Sequence, residues 1–224
     1  MVVGIVFAMK EELDTLKKKI EVYEEVNIYN LTFYKAKYNN ITCILVESGI
    51  GKVNAARTTQ ILIDKMNVDY IFNVGVAGGA TEKLEIGDVI IAKSLVQHDF
   101  DLTVFNHEKG HIPNLGKYIN CDNKLLSIAK KIDNVKFGVI ASGDIFCSEI
   151  TMFNKINHKF DALCVDMESA AISQVSYLCN VPFLVIRSIS DMPNNNNSID
   201  FNKFLESSSN KIAKIMLEIL DNLN

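Results

Sequence analysis

Three carboxylates and one arginine stand where acid/base chemistry would need them. Val165-Asp166-Met167-Glu168-Ser169-Ala170 and Arg187-Ser188-Ile189-Ser190-Asp191 each deliver a carboxylate at the carboxyl end of an apolar, strand-like run. Glu12 follows a third such run at the N-terminus. Open α/β sheets assemble ligand sites at strand ends, and convergent carboxylates suit proton transfer to and from a neutral polar substrate. Each residue also has a plain structural reading. Glu12 and Glu168 fall in first helical turns, where an acid complements the helix dipole. Asp191 can cap a turn before Pro193, and Phe146 can be ordinary core. Arg187, ending an apolar strand, demands an acidic partner.

The elements that would position these groups alternate in type. Strands are predicted at 2–7, 41–47, 69–75, 88–93, 136–142, 161–165 and 183–188, several β-branched on both faces as central strands are. A more polar pair near 26–38 predicts an antiparallel edge hairpin. Helices are predicted at 10–20, 51–66, 122–132, about 149–158, 167–179 and 202–222, the last with an apolar face of Phe204, Leu205, Ile212, Ile215, Ile219 and Leu220. This alternation implies one α/β domain over residues 1–224, a three-layer αβα arrangement with a central mixed twisted β-sheet flanked by helices. The Asn194–Asn197 tract reads as a polar loop, either a surface connection or a mobile edge of the site.

Two glycine motifs follow strands. Ser48-Gly49-Ile50-Gly51-Lys52 opens a helix, but Val53 and Asn54 break the P-loop and dinucleotide patterns. What survives is a tight turn that lets a ligand approach backbone. Gly75-Val76-Ala77-Gly78-Gly79 predicts a second turn, demanded either by packing or by a pocket wall.

Bulk properties narrow the classes. The 224 residues suffice to bury a core, and 48% hydrophobic with 22% charged residues is ordinary for a globular protein. A net charge of −4 supplies no basic face for nucleic acid. The apolar start Val2 to Ala8 is too short to span a membrane and lacks the flanks of a signal peptide. Five cysteines, an odd number without a C-x-x-C pair, argue for a reducing cytoplasm over disulfides or zinc. Cys43 and Cys164 read as buried hydrophobes.

Six ordered blocks together resemble the nucleoside phosphorylase/nucleosidase superfamily, and within it the 5′-methylthioadenosine/S-adenosylhomocysteine nucleosidases. They are Gly4–Glu12, Ser48–Ala56, Gly75–Gly79, Ser142–Phe146, Asp166–Ala171 and Val181 through Asp191. The resemblance implies a cytoplasmic homodimer that cleaves the adenine–ribose bond with water, without metal or organic cofactor. The implied substrates are 5′-methylthioadenosine, S-adenosylhomocysteine and 5′-deoxyadenosine, in methionine salvage and recycling of S-adenosylmethionine by-products. Asp191 becomes the acid for adenine N7, with Ser190 beside it. Glu12 becomes the base for water, and Arg187 its orienting partner. Glu168 would bind the ribose hydroxyls, Met167 pack under the sugar, and Phe146 stack on the base, whose edge meets the backbone at Cys147. Met9, Ile50, Phe201, Val76 and Gly78 complete the expected lining. Leu102, Phe105, His107 and Pro113 would reach in from a partner subunit.

Three residues depart from the family pattern: Val76 in place of a serine, His107 where tyrosine is common, and Cys147 in place of an aliphatic residue. Three other readings compete. A phosphorylase of the same fold needs cationic groups where this chain has Glu12 and Asn73. A nucleosidase for 6-amino-6-deoxyfutalosine differs only in the 5′ pocket. A non-catalytic nucleoside sensor would not need both Glu12 and Asp191.

Overall fold

The computed structural model describes residues 1–81, 83–192 and 197–223. Its strands are β1 (Val2–Phe7), β2 (Glu21–Ile28), β3 (Leu31–Tyr38), β4 (Ile41–Glu47), β5 (Tyr70–Gly79), β6 (Val89–Gln97), β7 (Ile119–Asn120), β8 (Val135–Ser142), β9 (Ala162–Asp166) and β10 (Phe183–Asp191). Its α-helices are α1 (Lys10–Lys17), α2 (Lys52–Met66), α3 (Asn123–Ala129), α4 (Ile150–Phe160), α5 (Ser169–Leu178) and α6 (Asn197–Asp221).

All strands join one mixed sheet. β1, β4, β5 and β10 run parallel, and β2–β3 is the expected antiparallel hairpin, with β2 on the edge. The other half closes on itself: β5 pairs β10, β10 pairs β6, β6 pairs β8, β8 pairs β9, and β9 returns to β5. A long apolar strand can bend into such a ring because both its faces find cover; β10 is buried at every position. The ring brings the ends of β5, β9 and β10 together.

Helices cover both faces. α1 packs with α6, and α2 with α5. At eight residues, α1 could not persist alone; burying Leu13 and Leu16 holds it down. Each such side chain taken fully from water contributes roughly 1.5–3 kcal/mol.

Several boundaries shift for physical reasons. α1 stops at Lys17, short of 20. The predicted glycine turn at 75–79 is strand: β5 continues to Gly79. There the glycines give room to neighbouring side chains rather than reverse the chain. α5 starts at Ser169, with Glu168 as its N-cap residue and the Asp166 carboxylate accepting the Glu168 and Ser169 N–H groups. α6 begins at Asn197, five residues earlier than the apolar stripe suggests. Asn194–Asn196 of the expected polar loop lie outside the described residues. No helix among the described residues is long and apolar enough to cross a membrane. No disulfide forms among them, and Cys43 and Cys164 are buried as hydrophobes.

Candidate active site

Glu12 sits in the first turn of α1, directly after β1. Its carboxylate folds back over the helix start. Oε2 accepts the N–H groups of Ala8 and Met9 at 3.0 Å each, and Oε1 accepts the Val76 N–H at 2.9 Å. Val76 therefore serves Glu12 through its backbone, whatever its side chain. Burial pushes the Glu12 carboxyl above its ordinary range, opposed by the Arg187 charge and these three donors. A carboxylate offers about four acceptor positions, which leaves one for a water.

Glu168 is the N-cap residue of α5. Its Oε1 accepts the Gly51 N–H at 2.9 Å. Gly51, at φ 98°, occupies the left-handed region that favours glycine. The predicted Ser48–Lys52 turn is thus real, but its free N–H holds the protein's own carboxylate instead of a phosphate. Burial first, then Asp166, pushes the Glu168 carboxyl up to about 7, against Arg187 and Gly51.

Arg187 is 1% exposed and lies behind this wall. Its Nε pairs with Asp166 Oδ2 at 2.9 Å, Nη1 donates to the Ile186 carbonyl at 3.1 Å, and Nη2 donates to Asn73 Oδ1. Arg187, expected to help orient Glu12, bonds Asp166 and acts on Glu12 through its charge. Asp166 is the residue that sequence reasoning missed. It also accepts from Ser142 Oγ at 2.5 Å, from Ser169 Oγ, and from the Glu168 and Ser169 N–H groups. The signal for it was Arg187 itself, a buried cation requiring a buried anion.

Asp191 closes β10. The β10–β5 register pairs Ile189 with Ala77 and Asp191 with Gly78, so Ser190 is an extra, bulged residue. A bulge redirects side chains, and here both Ser190 and Asp191 line the cleft. Ser190 Oγ donates to Asp191 Oδ1 at 2.8 Å. A Cβ on Gly78 would stand 3.1 Å from the Phe153 ring and 3.2 Å from Asp191 Oδ2, so the position has little room for a side chain.

Glu12, Asp166, Glu168 and Asp191 border one cleft of about 100 Å³. Of the residues expected at the site, Met9, Glu12, Ile50, Val76, Gly78, Phe146, Cys147, Met167, Glu168, Ser190, Asp191 and Phe201 line it. Phe146 and Phe201 meet edge to face with centroids 6.2 Å apart. Burial, with Asp191 adding, pushes the Cys147 thiol up to about 11, so it stays protonated. Ala8, Ala77, Ile145, Phe153 and Val165 complete the wall without having been expected. Leu102, Phe105, His107 and Pro113 do not line the cleft of their own chain. They occupy an outlying segment with a 3₁₀ turn at Thr103–Phe105, where Phe105 is 69% exposed and His107 stacks on His111 at 5.2 Å. The described lining holds four carboxylates and neither lysine nor arginine.

The model of the phosphorylase superfamily covers residues 2–221, and the chain belongs to that family. Its relatives narrow the branch. The 5′-methylthioadenosine/S-adenosylhomocysteine nucleosidase of Staphylococcus carnosus is 39% identical over 227 residues, spanning 99% of this chain and 100% of that protein. The S-adenosylhomocysteine nucleosidase of Streptococcus pyogenes, solved with 5-methylthiotubericidin, is 34% identical with a TM-score of 0.96, covering 100% of this chain and 98% of that one. A futalosine hydrolase of Helicobacter pylori is also similar, at 35% identity and a TM-score of 0.95 over 99% of this chain and 97% of that one.

Proposed function

We propose that residues 1–224 act as one nucleosidase domain that hydrolyses the N-glycosidic bond of 5′-methylthioadenosine and S-adenosylhomocysteine. The observation that carries this is the cleft wall itself: Glu12 and Asp191, on separate strand ends, face one cavity whose described lining is acidic and lacks cations. The described lining offers phosphate no cation, whereas water and a neutral nucleoside need none. This sets the protein apart from the phosphate-using members of its superfamily.

Asp191 donates its proton to adenine N7 as the C1′–N9 bond breaks and its electron pair moves into the purine. Ser190 Oγ, bonded to Oδ1, orients that carboxyl. Positive charge develops on the sugar, and the surrounding carboxylates stabilise it in a water-poor site. Glu12 aims a water at C1′ and takes its proton, so that adenine and the 5′-thioribose leave. This division of labour matches inverting glycoside hydrolysis. Glu168 binds the ribose hydroxyls, Met167 supports the sugar, and Phe146 covers the base. Arg187 and Asp166 hold the wall from behind as positioning residues.

The protein works as a cytoplasmic homodimer, with Leu102, Phe105, His107 and Pro113 of each subunit closing the 5′ end of the other's cleft. Support comes from the exposure of Val104 at 81% and Phe105 at 69%, more apolar surface than an isolated segment should leave in water. The same few residues would decide among methylthio, homocysteinyl, 5′-deoxy and futalosine-type substituents.

The test is direct. Purified protein should release adenine from 5′-methylthioadenosine without added phosphate. Asp191→Asn should lower kcat by about 10²–10⁴-fold, the usual worth of a general acid, while a nucleoside analogue still binds. Release that requires phosphate and yields a sugar 1-phosphate would overturn the hydrolase reading.

A further inference from the structure

The turn holding Glu168 and the turn carrying Phe146 are joined by a closed ring of polar contacts outside the reacting groups. Lys52 Nζ donates to Asp99 Oδ1 at 2.8 Å, Asp99 Oδ2 accepts the Asp144 N–H at 3.0 Å, and Asp144 Oδ1 accepts the Lys52 N–H at 2.8 Å. The ring closes on the residue where it began. Its members follow three different strands, β4, β6 and β8. Lys52 Nζ also reaches Gln97 Oε1 at 3.1 Å, and Gln97 Nε2 donates to Gln174 Oε1 on α5 at 2.7 Å.

The ion pair is well shielded, with the Lys52 and Asp99 side chains 20% and 19% exposed. Although burial opposes it, Lys52 and the Asp144 N–H hold the Asp99 carboxyl below its ordinary range.

Both sides of the ring end at the cleft. Gly51 precedes Lys52, and its N–H is the one that Glu168 accepts. A glycine has little conformational preference of its own, so the direction of that N–H depends on what fixes its neighbours. Ile145, Phe146 and Cys147 follow Asp144 and line the cleft. Phe146 is 48% exposed, so core packing alone does not hold it.

We propose that Lys52, Asp99 and Asp144 form a positioning clasp that sets the Gly51 donor to Glu168 and the Phe146 turn at once, pre-arranging the ribose and base subsites. The clasp touches neither reacting bond, so its loss acts on binding before chemistry. Asp99 also begins the segment that leads to Phe105, which ties the subunit-spanning residues to the same ring. This deepens the nucleosidase reading and rests on it.

Lys52→Met and Asp144→Ala should raise KM for 5′-methylthioadenosine about tenfold and change kcat by less than about threefold, the pattern of lost ground-state binding. Asp144→Asn keeps an oxygen to accept the Lys52 N–H and should recover most of the loss. In the nucleoside-free protein, the first two variants should speed amide hydrogen exchange in segments 50–52 and 144–147. Unchanged KM and unchanged exchange, with only a lower Tm, would overturn the proposal. Should the unsubstituted protein release no adenine, the functional reading falls, and the exchange measurement still decides the clasp.

Discussion

Glu168 shows how a carboxyl becomes a proton reservoir through its surroundings. Its pKa rises from the ordinary 4.5 to about 7 because burial and Asp166 outweigh Arg187 and the Gly51 N–H. Burial raises Glu12 in the same direction. For such groups the folded chain keeps a proton that the unfolded chain has released, so ν_U − ν_N is negative between the two pKa values. The Glu168 contribution to stability is therefore full below the unfolded value and declines as pH rises through about 4.5 toward about 7. Tm should fall between about pH 5 and about pH 7.5, and Glu168→Gln should flatten that fall. A slope identical in the variant would place the titration elsewhere. The three principal acids were legible as residues at the ends of apolar runs, although each also had a plain structural reading as a helix-dipole partner or a turn cap, and the six ordered blocks tipped the balance. Their partners were not legible: Asp166 and Asn73 meet Arg187 only after strands far apart in sequence are paired.

Among the elements, β5 and β10 shape the site by what they omit and what they add. β5 carries Gly75, where a Cβ would come within 2.8 Å of Glu12 Oε1 and 3.3 Å of Arg187 Nη1. Glu12 cannot retreat, because three backbone N–H groups hold its carboxylate. Gly75→Ala should therefore lower kcat by about 10²-fold through a displaced base, while overpacking costs roughly 1–3 kcal/mol of stability. Measuring kcat beside Tm separates the two; a normal kcat with a reduced Tm would make the glycine a packing residue only. β10 adds Ser190, the bulge that sends two consecutive side chains toward the cleft. Periodicity cannot reveal this, since alternation along a strand assigns neighbours to opposite faces. The glycine-rich run misled in the complementary way: read locally it signals a turn, whereas its glycines answer side chains arriving from α1, α4 and β10.

For the whole molecule, the segment around Phe105 leaves Val104 and Phe105 81% and 69% exposed. In the proposed homodimer, Phe105 closes the partner's cleft, so Phe105→Asp should yield a monomer in sedimentation and raise KM, leaving the fold's far-ultraviolet dichroism unchanged. A dimer that persists with normal KM would assign the exposed pair Val104–Phe105 another role. The resemblance pointed to this segment, but periodicity and composition did not, because apolar residues left on a surface look like apolar residues in a core until the chain has folded.

Chemistry of the residue types and the periods of apolar runs are local properties, and so the linear chain carried the α/β alternation, the hairpin, the Gly49–Gly51 turn and the acids themselves. Distance between residues far apart in sequence is not a local property. Closure of β5, β9 and β10 into a ring, the Asp166–Arg187 pair, the Ser190 bulge and the Lys52–Asp99–Asp144 clasp therefore arose only on folding. Burial then did what composition could not: by withdrawing water it changed the proton affinity of Glu12 and Glu168 and made a set of ordinary carboxylates into a site.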